Sequence, residues 1–258
     1  PRIFKKLKNV ELIELYSDID PTFPNHHPDP TVEANLVDLI NEMKTGKYDI
    51  GVAFDGDADR IGVVDNKGSI IWADQLMALF LPEIINPNDQ VIFDVKCSKV
   101  LEDMILKHNG KPEMWKTGHS LIKQRMAELK CKLGGEMSGH IFMADDYFGY
   151  DDAIYVAARA AQMLARSDKK LSDLKEALPK YFSTPEIRLN TESDEEKFKI
   201  TNKAIDHFSS NYKCNSIDGV KILFDDGWGL VRASNTQPVI VCRFEANNEE
   251  RMIEIKNI

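Results

Sequence analysis

The sequence lacks a long hydrophobic run and a leader-like first segment. None of its apolar stretches approaches the roughly 18 residues that a membrane-spanning helix needs. Its first residues also lack the charged and apolar regions of a signal peptide. We therefore expect a cytoplasmic protein with no membrane partner.

Cysteine is scarce, and positive charge is in deficit. The four cysteines are scattered without a C-x-x-C pair, which indicates free thiols in a reducing compartment. The 33 Lys and Arg residues against 42 Asp and Glu residues leave a net charge of −9. This charge disfavours a nucleic-acid partner, although a locally positive site can still bind phosphorylated metabolites.

The composition that is present is ordinary for a soluble globular protein. The chain has 258 residues, of which 43% are hydrophobic and 29% are charged. That length suggests about two domains, with part of a third.

Secondary-structure patterns predict an α/β chain. Asp29 and Pro30 predict the start of a helix that Gly46 ends. From residue 73 onward helical and extended patterns alternate, and one of the short strands is predicted at Cys131–Leu133. This alternation favours βαβ units and a mainly parallel sheet. Beyond the charged stretch Ser167–Glu176, the pattern changes to that of a small α+β domain beginning near residue 182.

The hexapeptide Asp55-Gly56-Asp57-Ala58-Asp59-Arg60 joins two predicted strands, Tyr48–Phe54 and Ile61–Asp65. Three carboxylates this close repel one another unless a cation or ample solvent neutralises them. Carboxylate oxygens on alternate residues suit a hard divalent ion, with Mg²⁺ favoured. We therefore predict that Asp55, Asp57 and Asp59 form a metal site at the end of a strand.

This loop has two alternative interpretations. A calcium EF-hand needs glycine at the sixth position and glutamate at the twelfth, where this chain has Arg60 and Asn66. An acidic surface turn is the second alternative, because Asp and Gly are common turn residues.

Two further loops follow predicted strands. Lys96 comes directly after an apolar strand, and ligands in open α/β sheets gather at the carboxyl ends of strands. It is a candidate anion-binding or acid–base group, with a solvated lysine as the alternative. The segment Thr117–Ser120 joins a strand to a helix, where backbone N–H groups can meet a ligand oxygen or Ser120 can cap the helix.

Glycines bracket a carboxylate, a hydroxyl and an imidazole in the segment Gly134–His140. Glu136 and Ser138 alternate in the manner of residues that bind vicinal sugar hydroxyls. His140 can hold or move a proton near neutral pH, and a structural histidine is the alternative.

A turn near the end of the chain has the composition of a phosphate site. Arg232, Ser234, Asn235 and Thr236 follow a predicted strand and supply a charged fork together with neutral donors. A plain Ser/Asn/Thr turn is the alternative.

Together these loops resemble those of the α-D-phosphohexomutase superfamily, and within it the bacterial phosphomannomutase/phosphoglucomutase family. The resemblance runs through essentially the whole chain. The segments that carry it are Phe23–Pro30, Asp55–Arg60, Asp94–Cys97, Trp115–Ser120, Gly135–His140 and Arg232–Thr236. Several long matches in the family's order disfavour the acidic-turn interpretation.

The resemblance implies a four-domain enzyme with a central cleft. Residues 1–68 would be the end of domain 2, residues 69–181 domain 3, and residues 182–258 domain 4, a TATA-binding-protein-like fold. The implied reaction is the interconversion of hexose 6-phosphate and hexose 1-phosphate through an enzyme phosphoserine and a hexose 1,6-bisphosphate. Mannose and glucose phosphates are the implied substrates.

The resemblance also implies roles for the candidate residues. The three aspartates would hold Mg²⁺, Arg60 would lie near the phosphoserine, and Lys96 and His140 are candidates for proton transfer. The residues implied in substrate binding are His119, Glu136, Ser138 and His140 at the sugar, and Arg232, Ser234, Asn235 and Thr236 at the phosphoryl that is not reacting.

The sequence departs from the family pattern at the nucleophile. The family's Thr-Ala-Ser-His-Asn-Pro loop, which belongs to the first domain, is not found here. We therefore expect a fragment that binds but does not turn over, with the N-terminal domain of the same polypeptide as its missing partner.

Substrate choice is partly readable at Met137. Family members specific for glucosamine phosphate usually carry Gln there, so Met137 favours glucose and mannose phosphates. A non-catalytic sugar-phosphate-binding module is the alternative function. An unrelated Mg²⁺-dependent phosphatase is disfavoured, because the expected nucleophilic aspartate is missing.

Overall fold

The computed structural model describes residues 2–18 and 20–258. In this part of the chain, three β-sheets follow one another along the sequence. The first is a three-stranded antiparallel sheet in the order β1-β2-β3, preceded by a helix. Its elements are a 3₁₀ turn at Glu33–Leu36, α1 (Val37–Met43), β1 (Ile50–Phe54), β2 (Ile61–Asp65) and β3 (Ile70–Ile71).

The second sheet has four strands and is mainly parallel. The elements of this region are α2 (Ala73–Ile84), β4 (Gln90–Asp94), α3 (Lys99–Lys107), β5 (Lys111–Trp115), α4 (His119–Leu129), β6 (Leu133–Gly135), β7 (Ile141–Met143), α5 (Ala153–Ala165) and α6 (Leu171–Glu176). The order is β5-β4-β6-β7, in which β4 runs parallel to β5 and β6, and β7 runs antiparallel to β6. The expected α/β class and βαβ units are confirmed.

Two glycines allow helices to approach both faces of β6. A Cβ at Gly134 would lie 2.7 Å from the sulfur of Met126 on α4, and one at Gly135 would lie 2.6 Å from the sulfur of Met77 on α2. At Gly135 the added Cβ would also lie 2.7 Å from the backbone carbonyl of His140, which cannot move aside as a methionine side chain can, so glycine is required there. The close fit fixes the start of the loop that follows β6.

The third sheet is antiparallel and belongs to the expected α+β region. Its elements are β8 (Phe182–Ser183), β9 (Ile187–Asn190), α7 (Asp194–Asn211), β10 (Cys214–Asn215), β11 (Val220–Phe224), β12 (Gly227–Ala233), β13 (Val239–Ala246) and α8 (Glu249–Lys256). The strand order is β10-β11-β12-β13-β8, and β9 also pairs with β13. Ser193 and Asn248 cap α7 and α8, as their side chains accept backbone N–H bonds.

The first two sheets share one hydrophobic core. Val63 of β2, Phe80 of α2 and Phe93 of β4 belong to the same buried cluster. A separate small cluster joins Val95, just after β4, to Trp228 and Leu230 of β12. The third sheet therefore packs against the carboxyl end of the central strand of the second.

Two local predictions were wrong. Asp29 does not begin a helix, because its carboxylate accepts from the Thr31 amide at 3.0 Å and helical backbone starts only at Glu33. The strand predicted at Cys131–Leu133 lies at β6 instead, since the chain is still turning out of α4 through a left-handed Lys130. The charged stretch Ser167–Glu176, for which the sequence pattern predicts no element, contains α6, whose Leu171 is buried.

Within the described ranges, no helix combines the length and the apolar character needed to cross a membrane.

Candidate active site

The loop Asp55–Arg60, called the metal loop below, is a tight connection between the antiparallel strands β1 and β2. This connection places its carboxylates at one end of the first sheet. Asp55, Asp57 and Asp59 each offer an oxygen, and these atoms lie within 4.8 Å of one another. Asp55 is buried, whereas Asp57 is exposed. An all-oxygen donor set of this size fits a hard divalent cation.

Backbone contacts hold the loop in shape. One oxygen of Asp55 accepts from the amides of Asp59 and Arg60, each at 3.1 Å. Ala58 adopts a left-handed φ of 59°. This conformation lets its carbonyl accept from the Ala153 amide at 3.0 Å, at the first turn of α5. Ala58 rather than Gly56 therefore carries the unusual backbone of the turn.

The charges of the loop are unequally compensated. Although burial opposes it, the hydrogen bond from the Arg60 side chain, at 2.7 Å, holds the pKa of Asp55 below its usual range. Burial, then Asp55, Asp57 and Asp151, raise the pKa of Asp59 to about 7. Uncompensated negative charge at Asp59 is the electrostatic signature of a site that suits a cation.

Arg60 is held between two carboxylates. Its Nε donates to Asp55, and its Nη1 donates to Asp29 Oδ1 at 3.3 Å. Asp29, which the sequence pattern assigned to a helix cap, thus orients a candidate site residue. The guanidinium keeps about a quarter of its side-chain surface exposed, so it remains accessible to an anion.

The segment Gly135–His140, called the sugar loop below, connects β6 to β7 and contains Glu136. Glu136 is 3% exposed, accepts from the Gly118 amide, and accepts from Ser138 Oγ at 3.1 Å. Burial and the nearby charge of Asp94 raise its pKa to about 7. Glu136 and Ser138 thus lie beside the segment Thr117–Ser120.

A buried carboxylate, Asp94, joins three loops at the end of β4. One oxygen accepts from the Met137 amide and from Cys97 Sγ, both at 3.1 Å, and the other accepts from Thr117 Oγ1 at 3.0 Å. Asp94 is fully buried. Asp94 belongs to the motif Asp94–Cys97, but its role is not visible in the sequence, because only the folded sheet brings its three partners to one point.

The sugar loop also contacts the metal loop. The amide of Ile61, the first residue of β2, donates to the carbonyl of Gly139 at 3.1 Å. Gly139 has a φ of 106°, and a Cβ there would lie 2.9 Å from the Ile61 carbonyl. Glycine is required at this contact on both counts.

Two histidines and a lysine surround Asp151. The rings of His119 and His140 stack with centroids 5.4 Å apart. Their Nδ1 atoms lie 3.3 and 3.2 Å from Asp151 Oδ2, and Lys123 Nζ donates to the other oxygen at 2.7 Å. His140 Nδ1 is also 3.7 Å from Asp59, and burial lowers the pKa of its imidazole. Asp151 was missed, and its only signal is the Asp-Asp pair that precedes α5.

Lys96 lies between two carboxylates. Its Nζ donates to Glu186 at 3.1 Å and lies 3.8 Å from Asp94. Although burial opposes it, the charges of Asp94 and Glu186 raise the pKa of Lys96. Lys96 is therefore a buried, protonated group rather than a solvated lysine. Glu186 precedes β9 and carried no sequence signal.

The segment Arg232–Thr236, called the phosphate loop below, lies at the connection from β12 to β13. Arg232 donates to Asp218 at 3.0 Å and to Asn235 at 3.2 Å, and the Ser234 amide donates to the Val239 carbonyl at 2.9 Å. The Thr236 amide lies 3.4 Å from Ser234 Oγ. Arg232 and Ser234 are buried, so this loop is preorganised rather than freely solvated.

The phosphate loop reaches the second sheet through Thr117. Asn235 Nδ2 donates to the Thr117 carbonyl at 2.9 Å, and the Thr117 amide donates to Asp218 at 3.0 Å. Because the next amide, that of Gly118, binds Glu136, the sugar and phosphate loops are two links apart. The predicted loops thus form a chain of contacts from Asp59 through His140 and Glu136 to Asn235.

Three family models together match nearly the whole chain. They are described as phosphoglucomutase/phosphomannomutase alpha/beta/alpha domain II at residues 1–68, alpha/beta/alpha domain III at 72–182, and the C-terminal domain at 186–257.

Curated relatives and a solved structure agree with these matches. A phosphomannomutase/phosphoglucomutase of Pseudomonas putida is 46% identical over all of this chain, which spans 56% of that protein. A phosphoglucomutase of Neisseria meningitidis serogroup A is 43% identical over 99% of the chain and 56% of its own length.

The crystal structure of a phosphoglucomutase/phosphomannomutase family protein from Burkholderia thailandensis is 42% identical. It superposes with a TM-score of 0.85 over 96% of this chain and 53% of its own. The chain therefore spans about half the length of the relatives it matches. With three consecutive domain models covering its sheets and loops, the chain belongs to the phosphoglucomutase/phosphomannomutase family.

Proposed function

We propose that the chain supplies the metal, sugar and phosphate loops of a cytoplasmic phosphohexomutase that interconverts hexose 6-phosphates and hexose 1-phosphates. The observation that carries this proposal is the hydrogen-bonded continuity of the three loops. Ile61 binds Gly139, Gly118 binds Glu136, and Thr117 binds Asn235. Three such loops, joined across separate sheets, suit one phosphorylated sugar.

Sugar recognition is assigned to Glu136, with Ser138 and His119 beside it. A carboxylate can accept from two neighbouring hydroxyls at once, and burial in the cleft strengthens such bonds. The names of the relatives, phosphomannomutase and phosphoglucomutase, support mannose and glucose phosphates as the substrates. The hexose 1,6-bisphosphate would be the intermediate that turns over in the cleft.

Phosphate recognition is assigned to Arg232, Ser234, Asn235 and Thr236. Arg232, whose Nε and Nη2 already bind Asp218 and Asn235, contributes positive charge beside the turn, and the hydroxyls and amides of the turn supply hydrogen-bond donors. Because this turn is preorganised by Asp218 and Val239, binding the phosphoryl that does not react costs little ordering entropy.

Proton transfer is assigned to Lys96 and His140, with Lys96 as a proton donor or anion-binding group and His140 as a proton acceptor. Lys96, between two carboxylates, keeps its proton and suits the role of donor or anion-binding group. His140, with its lowered pKa, is neutral near pH 7 and suits the role of acceptor from an attacking sugar hydroxyl. Arg60 would bind the reacting phosphoryl from the metal-loop side.

Asp55, Asp57 and Asp59 are the residues proposed to hold Mg²⁺. Bound there, the ion would neutralise charge on the transferring phosphoryl. The hydrogen bonds from the Asp59 and Arg60 amides to Asp55 would keep the carboxylates pointing to one side of the loop.

Turnover would need a phosphoserine that this sequence does not contain in the family's motif. We propose that residues 1–68, 69–181 and 182–258 act as three of the four cleft domains and that the chain alone binds without turning over. Isomerisation of glucose 1-phosphate by the pure chain, with longer phosphomutases excluded by mass spectrometry, would contradict this.

The test of the function is a calorimetric titration of mannose 1-phosphate into the chain, beside inorganic phosphate. Glu136→Ala should weaken binding of the sugar phosphate about ten- to a hundredfold, since it removes a charged acceptor of two hydroxyls. Binding of inorganic phosphate should be unchanged, and the exposed Glu195→Ala should leave both affinities unchanged. Equal affinity for both ligands in every variant would contradict a sugar-recognition site.

A further inference from the structure

Three successive backbone carbonyls after β4 are bound by cations from the third sheet. Lys221 Nζ donates to the Val95 carbonyl at 2.8 Å and to the Cys97 carbonyl at 3.3 Å. Arg243 donates to the carbonyl between them, that of Lys96. Two side chains more than 120 residues away in sequence therefore hydrogen-bond to the backbone of the turn that carries Lys96.

Both cations are deeply buried and share an aromatic platform. Lys221 is 3% exposed and Arg243 is 4% exposed. They flank Trp228 of the intervening strand β12, with 3.8 Å from Lys221 Nζ and 5.7 Å from the Arg243 guanidinium carbon to the centroid. Such stacking partly replaces the water that each cation gives up.

The arrangement is costly for a purely structural contact. The partners of these cations are carbonyl oxygens, the Ser183 hydroxyl and the Trp228 ring rather than carboxylates. Burial lowers the pKa of Lys221 to about 8, which reflects the desolvation cost. A well-packed apolar pair would usually stabilise such an interface as well or better.

The third sheet also contacts a residue that follows the turn. Glu245 accepts from the Lys99 amide and from Trp228 Nε1, both at 2.8 Å. Val95 packs against Trp228 in a small apolar cluster. The turn is thus fixed at both ends and at its centre, while the Lys96 side chain extends to Asp94 and Glu186.

We propose that Lys221 and Arg243 are positioning residues for Lys96. By holding the carbonyls of residues 95–97, they fix the backbone from which the Lys96 ammonium reaches into the cleft, and they make that position depend on the docking of the third sheet. The inference rests on the proposed function in one respect, namely that Lys96 contacts a phosphorylated ligand.

The test is a double-mutant cycle with two probes, mannose 1-phosphate and inorganic phosphate, titrated into the chain. Lys221→Met keeps the stem over Trp228 and removes the donors. It should weaken binding of mannose 1-phosphate about three- to tenfold, the size of one misplaced charged hydrogen bond. In a Lys96→Met background the same change should have little further effect, because its route of action is gone.

Matched variants separate positioning from folding. Lys221→Arg retains a cation with donors and should restore most of the affinity. The exposed Lys213→Met removes a lysine from the same domain and should leave affinity unchanged. An equal loss in the wild-type and Lys96→Met backgrounds, or no loss in either, would overturn the proposal.

Amide hydrogen exchange tests the grip without any ligand. The Cys97 amide, bound to the Asp94 carbonyl at 3.1 Å, should exchange faster in Lys221→Met and recover in Lys221→Arg, whereas the Val63 amide in β2 should not change. If the wild-type chain bound neither probe, the proposed function would fail and exchange alone would decide. Unchanged exchange at Cys97 would then overturn the positioning role.

Discussion

The ammonium of Lys96 donates to the carboxylate of Glu186 at 3.1 Å, across the boundary between the second and third sheets. The other carboxylate oxygen of Glu186 accepts from Arg188 Nη1 at 3.2 Å. Glu186 thus ties Lys96 to the segment that enters the third sheet. On the proposed function, a phosphoryl oxygen that binds Lys96 would compete with this carboxylate.

Replacing Glu186 by Gln should raise affinity for inorganic phosphate and mannose 1-phosphate. The change removes a carboxylate that competes with the phosphoryl for Lys96, and a partly exposed ion pair of this kind is worth about a two- to fivefold change. Calorimetric titration measures the effect. Glu195→Gln removes the same charge from an exposed position and serves as the control, and a weaker affinity in Glu186→Gln would contradict the competition.

The stability contributed by Glu136 should depend on pH. Its pKa is raised to about 7, so the folded state keeps the proton better than the unfolded state does. Ionisation of Glu136 therefore does not lower the free energy of unfolding below pH 4.5. Between pH 4.5 and about 7 it lowers this free energy progressively, and above about 7 the loss is complete. At about 1.4 kcal/mol per pH unit, the full cost is on the order of 3 kcal/mol.

Glu136→Gln should accordingly gain stability relative to the wild type when pH rises from 5 to 8. Urea unfolding at both pH values measures the difference in the free energy of unfolding between the two proteins. The exposed Glu33→Gln should show no such pH dependence. An equal difference at pH 5 and pH 8 would show that Glu136 is not held protonated by burial.

Magnesium should stabilise the chain through the metal loop. At a concentration tenfold above its dissociation constant, Mg²⁺ should add about 1.4 kcal/mol, or roughly 3–6 °C in melting temperature. Asp57→Asn should abolish the shift without disturbing the hydrogen bonds of Asp55, because Asp57 is exposed. Asp225→Asn, at an exposed turn of the third sheet, should retain it, and a full shift in Asp57→Asn would exclude this loop as the site.

Gly139→Ala should uncouple the sugar loop from the metal loop. Alanine at this position would have to keep a backbone φ of 106°, and its Cβ would lie 2.9 Å from the Ile61 carbonyl oxygen. The hydrogen bond between these two residues must therefore lengthen. Gly46→Ala is the matched control, since its φ is 74° but nothing lies within 4 Å of the new Cβ. Gly139→Ala should cost about 1–3 kcal/mol more than Gly46→Ala in thermal or urea unfolding. Equal costs would mean that the neighbouring backbone yields freely.

Local patterns predicted most elements well. The strand Ile61–Asp65 was predicted with its observed bounds. It is marked by a short-range signal, an apolar run bounded by turn residues. The errors at Asp29 and Cys131 share a cause: a short polar or apolar segment has several local solutions. The hydrogen bond from the Thr31 amide and the left-handed Lys130 select solutions that the hydrophobic pattern does not mark.

The candidate loops are visible in the amino-acid sequence without any structure. Residue types and spacing marked Asp55–Arg60, Gly135–His140 and Arg232–Thr236, because a metal, a sugar and a phosphate each need particular donor atoms close together along the chain.

The protonation of these groups and the contacts between their loops depend on the folded chain. Asp94, Asp151 and Glu186 gain their roles from partners on other strands, and Lys221 and Arg243 meet the Lys96 turn from the far end of the sequence. Burial and neighbouring charge shift pKa values only when folding excludes water and brings carboxylates together, and neither effect is encoded in a local pattern.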